Sequence, residues 1–293
     1  MFEHCVFSQN FAGNHGGAFH SERGSPVIRD CVFVENEAGS GAAIWLEGES
    51  APVVSRCEIH LNEAGGMGGG IAVEVGVSPV IRDCHVHDNV ASTGGGVCSA
   101  AAGGVIEGCR VESNFATFGG GVALMSAWQV SIVDTELKGN EAVHSGGGLY
   151  ALDSTFEVER CRIVSNTTQG SGGAVWMLNA DAAVTETTVN GNSADLSTGG
   201  MLVDSSAFAA TTCEIEGNGL GLNVQGLARS LADARGNWWG SSTGPYHPTL
   251  NPGGLGDEVS DGAQFVPWNT VTGIDGDWLA VPSSWGTLKA RHR

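Results

Sequence analysis

The chain has 293 residues, among them 46 glycines and 8 cysteines, with only 15% charged residues, a formal charge of −19 and an isoelectric point near 4.6. So acidic a surface argues against nucleic acid as a partner, because phosphate binding needs a basic one. No stretch approaches the roughly 18 consecutive apolar residues of a membrane-spanning helix.

The first element starts at Phe2, which opens an apolar column that recurs at Ile28, Val54, Ile81, Ile106, Ile132, Val158, Val184 and Ala210. Three residues after each stands Cys5, Cys31, Cys57, Cys84, Cys109, Thr135, Cys161, Thr187 or Cys213. Five after that stands Asn10, Asn36, Asn62, Asn89, Asn114, Asn140, Asn166, Asn192 or Asn218. The asparagines are spaced by 25 to 27 residues, and a fixed period of this length marks a solenoid rather than a globular core. Between Cys and Asn the chain alternates apolar and polar residues, as a half-buried strand should. A Gly-rich turn and a second strand follow, as in Gly16-Gly17-Ala18-Phe19 and Gly120-Gly121-Val122. A third strand, often opened by proline as in Pro26-Val27-Ile28, precedes each Cys. Three short strands per turn close no hairpin sheet, so each pairs with its equivalent one coil away. The expected fold is all-β, a parallel β-helix of about nine coils over residues 1–236, roughly 40 Å long.

The stacked asparagines are expected to pass amide N–H to amide C=O along the axis, each satisfying the next. Because Thr replaces Cys twice in one inward column, the seven cysteines there read as a reduced core ladder and not as disulfides. Cys98 falls on an outward position and reads as the accessible thiol. Met1 begins inside a coil with neither a signal peptide nor a cap, so further coils are expected upstream.

After residue 236 the periodicity gives way to Asn237-Trp238-Trp239-Gly240, Gly244-Pro245 and Phe265-Val266-Pro267-Trp268, read as a Trp-rich C-terminal cap over 237–268. Gly253-Gly254-Leu255-Gly256-Asp257-Glu258 approximates a calcium-binding nonapeptide, but has Glu for the final Asp and no tandem copy, so no metal or cofactor is assigned. Residues 269–293 read as a linker or tail.

Phe7-Ser8-Gln9-Asn10 and Phe33-Val34-Glu35-Asn36, with Gly16-Gly17-Ala18-Phe19 and Gly172-Gly173-Ala174-Val175, resemble the FxxN and GGA[ILV] elements of polymorphic outer membrane protein repeats. More broadly, residues 2–236 resemble the right-handed β-helix domain of pectate-lyase-like secreted bacterial proteins, and the NWWG…GP…PW close resembles theirs. The resemblance implies right-handedness and an extracellular or cell-surface location.

Two outward faces carry the candidate chemistry. The polar strip beside the Cys column contains Glu58, His60, His85, His87, Arg110, Glu112, Glu136, Lys138 and Arg162, where His87, Arg110 and Glu112 are the residues for a polysaccharide lyase or glycoside hydrolase. Arg110, Glu136 and Arg162 fall on successive rungs with alternating sign, as do Glu112 and Lys138, which reads instead as cross-strand pairing. The outward column after the glycines holds Trp45, Tyr150 and Trp176 with small residues between, an aromatic trough suited to stacking on sugar. The function expected is a non-catalytic, surface-exposed domain presenting a rigid face to polysaccharide or to a surface protein. The alternatives are the lyase or hydrolase and a structural spacer.

Overall fold

The computed structural model describes residues 1–225 and 231–272. The coil around Cys109 shows the unit: strands Gly104–Glu107, Arg110–Glu112, Phe115–Phe118 and Val122–Met125. Each pairs in parallel with its equivalent in the next coil. Among the described residues this gives four parallel sheets of 11, 9, 8 and 11 strands, called here the first to fourth in chain order. The expected three strands per coil become four. The segment after each Asn, read as turn because it runs into glycine, pairs with its neighbours over two to five residues before the glycines begin.

Inward residues of the sheets merge into one apolar core, with Ile28, Phe33, Ile59, Val86, Val111, Leu137 and Ile163 fully buried. All eight cysteines are free thiols. Within the column, the Cys109 and Cys161 backbone N–H groups donate to the hydroxyls of Thr135 and Thr187, at 3.2 and 3.1 Å. That contact explains why Thr and Cys share the position.

The asparagine ladder forms as expected. Asn114 donates from its backbone N–H and from Nδ2 to Oδ1 of Asn140, at 3.1 and 3.0 Å, and from Nδ2 also to the Val86 carbonyl of the preceding coil. One side chain thus ties three coils together. The paired glycines belong to this device: a Cβ on Gly121 would lie 2.7 Å from the Gly148 carbonyl and 3.0 Å from Asn140 Nδ2.

The C-terminal segment terminates these columns. Asp257 Oδ2 accepts from both the backbone N–H and Nδ2 of Asn218, each at 2.9 Å, reproducing what every next asparagine does. Asn237 Oδ1 accepts from the Cys213 backbone N–H at 2.8 Å, continuing the Cys/Thr column. Trp239 and Phe265 lie fully within the buried core and Trp268 packs against it. Strands Leu231–Asp233 and Ala263–Gln264 extend the first sheet, and Gly256–Val259 and Pro245–Tyr246 the fourth. Of the tail, residues 273–293 lie outside the described residues.

Candidate functional site

The outer face of the second sheet is a regular array because its three-residue strands keep strict register from coil to coil. Glu58, His85, Arg110, Glu136 and Arg162 occupy one outward column, and His60, His87, Glu112 and Lys138 the next. Glu136 lies between two guanidiniums, 3.5 Å from Arg110 Nε and 3.6 Å from Arg162 Nε. The cross-strand pairing expected of this column is present. Glu112 differs: it takes Arg110 of its own strand at 2.6 Å and His85 diagonally at 2.7 Å.

The electrostatics follow from these contacts. Burial pushes the Glu112 carboxyl up, but His85 and Arg110 together outweigh it and hold the group below the usual carboxylate range. Burial, then the neighbouring His87, lowers both His85 and His60. His87 is also pulled down by burial, yet the carboxylates of Glu58 and Asp88 reverse the balance and leave it raised.

The histidines form a compact group. The His60 and His87 rings stack at 4.9 Å, and those of His85 and His87 lie 4.0 Å apart. His87 Nδ1 donates to Asp88 Oδ2 at 2.7 Å, while its Nε2 stands 3.6 Å from Glu58 Oε1. Glu58, His85 and His87 each bring one ligand atom to within 4.8 Å of the others. No metal was assigned from sequence. The legible signal was His85-Val86-His87, two imidazoles on one face of one strand, with Glu58 one coil above.

The aromatic column needs correction. Trp45 is 1% exposed and Tyr150 8%, and Ala72, Cys98 and Ala123 between them are equally buried, so no open trough exists. Residues at the ends of the third-sheet strands fold over this face. His15 stacks on Trp45 at 4.0 Å, Phe118 leans on Tyr150 at 5.4 Å, and Met67 packs with Phe118 against Cys98 and Ala123. Tyr150 and Trp176 do stack, one rung apart at 4.8 Å and 3° between planes. Parallel rings stacked along the axis offer a ligand their edges. Trp176, half-buried, is the accessible member, and Trp45 is unavailable as a ligand-contacting ring. Cys98 is likewise corrected: it points outward but is 1% exposed, and burial, followed by the Glu74 carboxylate, pushes its thiol up to about 12.

A further shallow groove lies on the first sheet, lined by Thr155, Glu157, Asp181, Ala183 and Ala209 among others. No helix of the described residues is long and apolar enough to cross a membrane.

Residues 1–142 match the family model described as right handed beta helix region. Searches of curated proteins and of solved structures find no match. The matched segment contributes coils to all four sheets, and these continue without a break in strand order into the rest of the stack; with that match, the chain is a right-handed parallel β-helix.

Proposed function

We propose that this chain is a non-catalytic binding scaffold, exported to the cell surface, whose second-sheet face docks neutral, hydroxyl-rich polysaccharide. The observation that carries the reading is the run Arg162–Glu136–Arg110–Glu112–His85, which holds donors and acceptors at fixed rung spacing along one sheet face. Sugar hydroxyls both donate and accept, so an alternating array suits them. A charge of −19 repels uronate polymers and so favours neutral chains. Free thiols fit an oxidising exterior because seven of the eight are buried away from solvent-borne oxidants.

A lyase or hydrolase reading is less well supported by the same contacts. A glycosidase acid needs a raised pKa, whereas Glu112 is lowered and both of its oxygens are engaged by His85 and Arg110.

Affinity electrophoresis through gels containing neutral or uronic-acid polysaccharides tests the proposal. Retardation is expected in at least one neutral gel, and Arg110→Ala combined with Glu136→Ala should abolish it while leaving the unfolding midpoint cooperative. Free migration in every neutral gel, or undiminished retardation of the double variant, overturns it. Product release from a uronate polymer that disappears with Glu112→Gln would favour the enzyme instead.

A further inference from the structure

Within the polar face, His87 is placed differently from its neighbours. Its Nδ1 is held by Asp88, which fixes the ring and leaves Nε2 facing Glu58. Nε2 is buried and has no hydrogen-bond partner, a costly condition for a polar atom. Glu58 Oε1 is 3.6 Å away, close to the edge of a coordination tetrahedron, about 3.3 Å for ligand bonds of about 2.0–2.1 Å. His85 completes a set of two imidazoles and one carboxylate, all within 4.8 Å. Its Nε2 donates to Glu112 at 2.7 Å, so its ring too is oriented by a carboxylate. Histidine ligands held by a second carboxylate are the usual outer support of metal sites.

We propose that Glu58, His85 and His87 form a binding site for one late first-row divalent cation of the zinc class, with Asp88 and Glu112 as positioning residues. Imidazole donors select such ions over calcium and magnesium, which take oxygen ligands. All three ligands stand on two adjacent three-residue strands in strict register, so closing around the ion requires side-chain torsion and no backbone movement. The site shares His85 and Glu112 with the face proposed to dock polysaccharide, and it is tested with zinc alone, so that either reading can fail without the other.

The test is calorimetric titration of chelator-treated protein with zinc chloride alone, repeated with calcium and magnesium chloride. One equivalent of zinc is expected to bind, with no saturable heat from calcium or magnesium. His87→Ala and His85→Ala should each weaken binding at least tenfold, and Asp88→Asn by about 10- to 100-fold, as loss of an outer-shell partner does. His20→Ala, in a pair with Glu47 on the fourth sheet, should leave it unchanged. Zinc should also shift the His87 Nε2 nitrogen resonance, a readout that a merely structural histidine would not give. Absence of saturable zinc binding, or affinity unchanged in both His85→Ala and His87→Ala, overturns the site.

Discussion

At the scale of single residues, Asp257 shows how the fold ends its own repetition. An asparagine accepts at Oδ1 and must donate onward from Nδ2, whereas a carboxylate only accepts, so Asp257 closes the column without creating a new donor to satisfy. The cost is desolvation: burial raises its pKa, although hydrogen bonds from Asn218 and Gly217 oppose the shift. A carboxyl whose folded pKa lies above its unfolded value contributes stability that is fully present below the unfolded pKa and is lost as pH rises through the folded one. Asp257→Asn keeps the acceptor and removes the charge. The variant should therefore gain on the parent protein as pH rises from 4 to 7, read as the difference between their urea midpoints. A difference that stays constant across that range, or runs the other way, contradicts this account. The same residue shows what motif reading misses: it sits at an unassigned position of a glycine-rich stretch that approximates a calcium motif, while its partner Asn218 lies 39 positions away in sequence.

At the scale of elements, the three-residue strands are joined by sharp corners. The residue before each Cys or Thr and the residue before each Asn take positive φ, near 50–60°, including Asp30, Arg56, Leu61, Asp88 and Ser113. Few of these are glycine, so residue type alone did not mark them; the glycines that did stand out mark a different corner, before the fourth sheet. Some corners gain support from their own column. Arg56 forms a bidentate pair with Asp30, at 2.9 and 2.7 Å, and Arg160 does so with Asp134, in each case exactly one coil apart at 26 residues. Leu61 has no such compensation: it is 51% exposed at φ 56°. The left-handed conformation costs an ordinary L residue about 1–2 kcal/mol, and asparagine tolerates it better. Leu61→Asn is expected to stabilise the protein by about 0.5–1 kcal/mol in denaturant unfolding. Destabilisation of similar size would mean that the half-exposed Leu61 packs more than it strains. Element pairing also explains the closed aromatic face. Period-two alternation identified Trp45, Cys98, Tyr150 and Trp176 as outward correctly, but sequence does not show that Phe118, ending its third-sheet strand, and Met67, just past one, pack over them. By contrast the second-sheet array was legible, since its strands keep strict register and each rung is a fixed period from the next.

At the scale of the whole molecule, every coil contacts its neighbours and little else, so stability is close to a sum over rungs. Removing residues 141–166, one complete 26-residue period, joins Asn140 to Thr167 and lets each sheet re-pair with the same inward columns. The shortened protein should still unfold cooperatively, and its long dimension in small-angle scattering should fall by about 4.8 Å. Loss of cooperative unfolding would show that the coils are not interchangeable.

The ladder has one more consequence, an electrical one. From Asn36 to Asn218 each Oδ1 accepts from the asparagine of the preceding coil while one Nδ2 hydrogen goes to the following one, so the side-chain carbonyls point the same way. An amide carries a dipole of about 3.5 D, and aligned amides leave partial positive charge at the donating end of the row. That end is where the Asp257 carboxylate sits. Its anion is the counter-charge of the whole column, so the stack is polarised along its length, and its two ends are electrostatically unlike even though the coils between them are nearly the same.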